Sequence, residues 1–115
     1  MATGKEFIDY ILDQLSPVDG ITCRKMMGEY ILYMHGRIAA YVCDERLLIK
    51  PVAAARRLLP EAPMEAPYSG AKEMVLVEET DDRELLVRLF TEIYPELPEP
   101  ANVKKKFDKQ GKCNT

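Results

Sequence analysis

The sequence has no apolar run long enough to cross a membrane, and it has one histidine and only three cysteines. A transmembrane helix needs about 18 or more consecutive apolar residues. Residues 1–6 also lack the apolar segment of a signal peptide. These absences predict a cytoplasmic protein that does not associate with a membrane.

The few cysteines and the single histidine limit the chemistry. Cys23, Cys43 and Cys113 are an odd number without C-x-x-C spacing, which predicts reduced thiols rather than a disulfide framework. A zinc site needs four convergent ligands, and a cysteine nucleophile needs a nearby base. His35 falls at a predicted turn, about 20 Å along a strand from Cys43. We expect no metal, cofactor or catalytic residue; a site built from the histidine and two of the cysteines is the alternative.

The charges of the sequence are unevenly distributed. Residues 103–115 hold five lysines and one aspartate, a charge of +4 within a total of −3, so residues 1–102 carry −7. Binding to nucleic-acid phosphates requires a basic surface, which an acidic body does not supply. We therefore expect that this domain alone does not bind DNA. The lysine-rich tail is either a solubilising terminus or a nonspecific nucleic-acid contact.

Apolar periodicity along the 115 residues predicts one α+β domain. A Thr3-x-x-Glu6 capping box precedes the first helix, and the acidic run 81–84 precedes the last. Prolines punctuate the stretch 60–71, which is predicted to be a loop, and the run 95–100, which is predicted to be non-helical. The predicted elements are helices at 4–15, 52–59 and 85–93, and strands at 21–27, 29–34, 37–43, 47–50 and 74–77.

The predicted hairpin at His35-Gly36 determines which residues share a sheet face. A two-residue turn there pairs Met34 with Arg37. One face of the hairpin would then carry Ile31, Tyr33, Ile38, Ala40 and Val42, and the other would carry Tyr30, Leu32, Met34, Ala39 and Tyr41. Both faces are apolar, whereas a sheet with one solvated face alternates apolar and polar residues. We therefore expect both faces to be covered, by helices or by another subunit.

A set of residues in the first half of the chain carries a family resemblance. The set is Arg24, Lys25, Met26 and Gly28 at the start of the sheet, Tyr33 and Gly36 in the hairpin, and Lys50 at a strand end. In this order it resembles the N-terminal domain of the TfoX/Sxy competence-regulator family, over about Phe7 to Pro95. The sequence differs from the family at Met27, where Phe is usual, at Glu29, where Gly is common, and at Ile31, where small residues are frequent.

The resemblance implies a fold and a type of function. The expected fold is α+β, in the order helix, three or four strands, helix, strand, helix, with a central antiparallel sheet flanked by helices, similar to the secretion-chaperone-like fold. The family implies a homodimeric, non-enzymatic domain whose regulators activate competence genes alongside the cyclic-AMP receptor protein, and carry a second, helical domain. We expect residues 1–95 to form a stand-alone domain of this type, and residues 96–115 to form a proline-rich exit and flexible tail.

Four residues are candidates for contacting a partner or an anion: Arg24, Lys25, Lys50 and Tyr68. Arg24 and Lys25 are consecutive in a predicted strand and therefore point to opposite faces, so only one of them can join a patch with Lys50. The alternative is that these cations protect a sheet edge from aggregation. The predicted function is a regulatory protein-interaction domain, and the alternative is a small enzyme or anionic-metabolite-binding protein that uses this surface.

Overall fold

The computed structural model describes residues 4–26 and 29–98, which form three helices and one six-stranded antiparallel sheet. This confirms the predicted α+β class. The helices are α1 (Lys5–Gln14), α2 (Ala53–Leu58) and α3 (Arg83–Ile93). The strands are β1 (Ile21–Met26), β2 (Glu29–Met34), β3 (Arg37–Cys43), β4 (Arg46–Ile49), β5 (Met64–Glu65) and β6 (Met74–Val77).

The strand order is β1-β2-β3-β4-β6-β5, so β1 and β5 are the two edges of the sheet. The first four strands form a meander, and the chain returns after α2 to place β6 beside β4. The short strand β5 lies in the stretch that the sequence predicts as a loop. A strand of two residues is too short to show an alternating sequence pattern, and β5 is recognised only by its pairing with β6.

The two hairpin turns that the structure describes, between β2 and β3 and between β3 and β4, each have two residues with positive φ. His35 and Gly36 have φ of 50° and 85°, and Asp44 and Glu45 have φ of 52° and 59°. Turns of this kind match the right-handed twist of the strands that they join. The predicted turn at His35-Gly36 is confirmed, with Met34 opposite Arg37.

The register between β2 and β3 follows the prediction only as far as Tyr33. Leu32 pairs with Ala40 rather than with Ala39, because Ala39 is the extra residue of a β-bulge. The bulge changes the face on which Tyr41 lies, so the predicted assignment of the β3 residues beyond it is wrong. The observed sets are Tyr30, Leu32, Met34, Ala40 and Val42 on one face, and Ile31, Tyr33, Ile38 and Tyr41 on the other.

All three helices pack against the same face of the sheet. Their apolar residues form one buried cluster with Cys23, Tyr30, Leu32, Met34, Ala40, Val42, Leu47, Ile49, Val75 and Val77 of the strands. The buried residues Ile31, Cys43, Leu48 and Met74 lie outside this cluster. They belong to the opposite face, called the outer face below. The helices of the described chain thus cover one of the two apolar faces.

The two long helices begin differently. The N-cap residue of α1 is Gly4, which has no side chain to cap the helix; Thr3 of the predicted capping box lies outside the described residues. The Gly4 amide donates instead to the Glu45 carboxylate at 2.8 Å, which joins the helix start to the β3–β4 turn. Asp82 caps α3 by accepting a hydrogen bond from the Leu85 amide at 3.1 Å, as the acidic run predicts.

The segment after α3 packs back onto the domain. A 3-10 turn at Tyr94–Glu96 replaces the predicted non-helical start of the proline-rich run, and Leu97 is buried. The Glu96 carboxylate accepts a hydrogen bond from the Ala54 amide at 2.8 Å, and Arg37 donates to the Leu97 carbonyl at 3.3 Å. The lysine-rich tail lies outside the described residues.

Candidate functional site

The outer face can be followed along one row of paired residues that crosses the sheet: Arg24, Ile31, Tyr41, Leu48 and Leu76. Arg24 is exposed on the edge strand, whereas Leu48 is fully buried. No helix of the described chain packs on this side. The loop 66–73 between β5 and β6, called the covering loop below, lies on the outer face, because the ring of Tyr68 packs against Tyr41.

Arg46 fastens the covering loop to the outer face. Its guanidinium donates to Glu65 Oε1 at 2.8 Å, to Cys43 O and Pro67 O at 3.3 Å each, and to Ala66 O at 3.4 Å. The side chain of Arg46 is only 25% exposed. Partial removal from water strengthens these charge-assisted hydrogen bonds. Arg46 therefore determines where the covering loop lies.

Replacement of Arg46 by methionine should detach the covering loop. The variant keeps much of the apolar stem but loses every donor, so we expect the free energy of unfolding to fall by about 1–3 kcal/mol. Amides of residues 66–73 should also exchange faster with solvent. The control is Arg57→Met, which removes an exposed ion pair to Glu92 of 3.3 Å and should cost about 0.2–1 kcal/mol. Equal losses in both variants, with unchanged exchange of the loop, would contradict this role.

A cleft of about 400 Å³ opens between the covering loop and the end of β4. Its lining includes Tyr41, Lys50, Tyr68, Lys72, Glu73 and Met74, with two prolines and an alanine. The rings of Tyr41 and Tyr68 meet edge to face, with centroids 6.5 Å apart. The lining of the cleft therefore combines aromatic and charged side chains.

Two titratable groups on the outer face, Cys43 and Tyr41, have raised pKa values. Burial raises the pKa of the Cys43 thiol to about 11, and the nearby Glu29 carboxylate adds to the rise. The pKa of Tyr41 is also raised, first by burial and then by Tyr68. Both groups thus stay protonated at neutral pH, and a thiolate, not a thiol, is the nucleophile.

The histidine and the cysteines do not form one site. His35 lies at the opposite end of β3 from Cys43, about 20 Å away along the strand, and packs edge to face on Tyr94 at 5.2 Å between centroids. Within residues 4–26 and 29–98 no group of three or more His, Cys, Asp or Glu side chains is placed to hold a metal ion. Cys43 is a free thiol, as the sequence predicts, and Cys113 lies outside the described residues.

The comparison with known proteins identifies the family. Residues 13–102 match the TfoX N-terminal domain. The chain belongs to the TfoX N-terminal domain family. This confirms the resemblance carried by the motif at residues 24–28 and by the hairpin, and it supports a competence-regulator-like domain.

One relative of this TfoX N-terminal domain extends over nearly the whole chain. It is described as an uncharacterized 12.7 kDa protein in the trpE 5′ region of Spirochaeta aurantia. The two are 32% identical over 110 residues, which are 92% of this chain and 95% of the relative. No solved structure matches the chain. Within the described residues, none of the helices has the length and apolar character needed to span a bilayer.

The TfoX family motif lies at the β1 edge and in the β2–β3 hairpin. Met26 is 46% exposed near the end of β1, Tyr33 is half-buried in β2, and Gly36 occupies the turn. Gly28 lies outside the described residues. Arg24, Met26 and Tyr33 of the motif thus lie on the outer face, whereas Lys25 lies on the helix-side face and Lys50 follows β4.

The four predicted contact residues are not all together. Lys50 and Tyr68 both line the cleft, but Arg24 and Lys25 do not. Arg24 lies on the outer face opposite Ile31, whereas Lys25 pairs with Tyr30, a residue of the helix-side face. Arg24 is also separated from β4 by two strands, a distance of about 14 Å.

Three residues important to this site are not predicted from the sequence. The sequence pattern assigns Tyr41 to the other face, because the alanines before it fit either face and hide the bulge. Arg46 follows a turn like any solvated cation, and Lys72 lies in a stretch without periodicity. The one available signal is the proline-rich composition of residues 60–67, which indicates a long connection that must pack somewhere.

Proposed function

We propose that this domain is a non-enzymatic protein-interaction domain that takes part in transcription regulation and acts as a homodimer. The observation that carries the proposal is the apolar outer surface of β1–β3, on which no helix of the described chain packs. Membership of the TfoX N-terminal domain family supports the regulatory part, since it is a competence-regulator-like domain.

The surface that we assign to dimerisation is called the dimer patch and consists of Met26, Ile31, Tyr33 and Ile38. Met26 is 46% exposed, and Tyr33 and Ile38 are half-buried. Ile31 is only 6% exposed, so the accessible part of the patch belongs to Met26, Tyr33 and Ile38. Apolar surface that water can reach marks contact sites in soluble proteins. A second copy that packs here would remove it from water.

The charges around the dimer patch fit a second copy of the same chain. Arg24 lies in the row through Ile31, and Glu29 is paired with Met26, so both signs of charge border the patch. A two-fold interface brings the same surface of both protomers together. Because the border of the patch carries both positive and negative charges, the borders of two protomers can meet without net repulsion.

The proposed absence of catalysis and of direct DNA binding rests on separate arguments. The buried thiol of Cys43 stays protonated because its pKa is about 11. The acidic charge of −7 over residues 1–102 opposes contact with phosphates. A regulatory effect would therefore operate through protein contacts.

Sedimentation of two matched variants tests the dimer. Met26→Glu places a charge in the dimer patch, and we expect it to weaken dimerisation at least about tenfold, since a buried unpaired charge is costly. Tyr10→Glu is the control, because Tyr10 is similarly exposed, at 41%, but lies on α1. Both sites are on the surface, so neither variant should unfold the chain.

The proposed homodimer predicts dimers of the unmodified chain at micromolar concentration and of Tyr10→Glu alike. If the unmodified chain is still monomeric at about 100 µM, the proposed dimer is wrong, because only an interface with a weaker dissociation constant than this would fail to form. Equal dissociation constants for the two variants would show that the interface lies elsewhere.

A further inference from the structure

The cleft beside the covering loop is distinct from the dimer patch. It lies toward β4 and β6, whereas the patch lies on β1–β3, and Tyr41 separates them in the cross-sheet row. Its position depends on Arg46, which holds the covering loop at the main-chain oxygens of Ala66 and Pro67. The cleft is therefore a built feature of the fold.

The walls of the cleft can accept a flat apolar group. Tyr68 is 58% exposed although its ring contacts Tyr41. Met74, which also lines the cleft, is only 5% exposed. Aromatic side chains pack well against other rings in offset or edge-on geometry. An aromatic body placed here would cover the exposed face of Tyr68.

The charges of the lining residues favour a negative ligand. Lys50 and Lys72 both line the cleft, and neither ammonium group has a hydrogen bond or ion pair to any residue in the described part of the chain. Glu73 adds one negative charge, and nearby Glu65 is bound to Arg46 at 2.8 Å. The lining is therefore net positive by one charge, in a chain whose total is −3.

We propose that this cleft binds a small anion with a flat apolar body, such as an aromatic carboxylate. Lys50 and Lys72 hold the negative group, and the ring packs on Tyr68. The volume of about 400 Å³ lies in the range of small-molecule sites, about 300–1,000 Å³. The site goes beyond the proposed dimerisation and does not depend on it.

Two probes of equal shape test the site by NMR titration of the full chain. We expect 2-naphthoate to shift the amide resonances of residues that line the cleft, foremost those of Lys50, Tyr68 and Met74. The neutral 2-naphthamide has the same ring system, and its dissociation constant should be at least about fivefold higher. This is the expected effect of losing a charged contact worth about 1 kcal/mol. Added salt should weaken only the binding of the anion.

Matched lysine variants assign the charge. Lys50→Met and Lys72→Met should each weaken 2-naphthoate about fivefold. Lys25→Met should have no effect, because this exposed lysine lies on β1 away from the cleft. Equal binding of the two probes, shifts centred outside the cleft, or no shifts at millimolar 2-naphthoate would each overturn the proposal. Because the shifted amide resonances are assigned to individual residues, binding in the cleft can be distinguished from a change in oligomeric state.

Discussion

Replacement of Phe90 by alanine is expected to lower the free energy of unfolding by about 3–5 kcal/mol. Phe90 is the largest fully buried side chain of the described residues, and it lies in the cluster between the helices and the sheet. Its removal would lose apolar burial and leave a cavity that the surrounding elements cannot close. Urea denaturation of the full chain would measure the loss.

The matched control for Phe90→Ala is Tyr10→Ala. Both are aromatic residues on helices, but Tyr10 is 41% exposed and Phe90 is fully buried. We expect the Tyr10 variant to change stability by about 0.5 kcal/mol or less. A loss below about 1 kcal/mol for Phe90→Ala would contradict the packing of α3 against the sheet, since truncation of a buried Phe costs far more. The total free energy of unfolding of a domain of this size is only about 5–15 kcal/mol.

Replacement of Gly20 by alanine should destabilise the protein by about 2–4 kcal/mol. Gly20 has φ of +79°, and a Cβ atom there would lie 2.6 Å from His35 Nε2. His35 is an exposed residue, and moving its imidazole aside would disrupt the packing of the ring on Tyr94. The substitution therefore combines backbone strain with a steric clash, and thermal or urea unfolding would measure their sum.

Two further variants separate the strain from the clash. Gly70 has φ of +88°, and no atom lies within 4 Å of the place that a Cβ would occupy there, so Gly70→Ala should cost only the backbone term of about 1–2 kcal/mol. In the double variant Gly20→Ala/His35→Ala, the clash is absent, and the combined loss should be smaller than the sum of the single losses by about 1–2 kcal/mol. Additive losses would show that the ring of His35 is not the obstacle.

The two amphipathic helices and the two hairpin turns can be predicted because their signals are local. Apolar residues at helical spacing in 85–93 are those that α3 buries. His35, Gly36 and Asp44 are of the residue types that adopt positive φ most readily. Such patterns depend on a few neighbouring residues, so the rest of the chain is not needed to recognise them.

The register beyond Tyr33 cannot be predicted, because the choice between Ala39 and Ala40 has no local signal. Both alanines are fully buried in the helix-side cluster, so either one fits that face by its chemistry. The bulge resolves the choice, and one inserted residue reverses the faces of all that follow. This is why the sequence pattern places Tyr41 on the wrong face and does not reveal the cleft.

The candidate site is only half accessible to sequence reasoning. The sequence selects Lys50 and Tyr68, and the structure brings them together in one cleft. It selects Arg24 and Lys25 with them, but strand order separates these two from that cleft. It does not select Lys72, because the proximity of Lys72 to Lys50 depends on a loop held by Arg46 through contacts 19 to 21 residues away in sequence.

By itself, the sequence determined the α+β class, the family, the amphipathic helices and the acidic body, because composition, periodicity and short motifs are properties of the chain. The tertiary structure alone decided that all three helices share one face of the sheet, that Ala39 forms a bulge, and that the covering loop lies on the outer face. These features arise from contacts between distant segments, whose relative free energies no local pattern encodes.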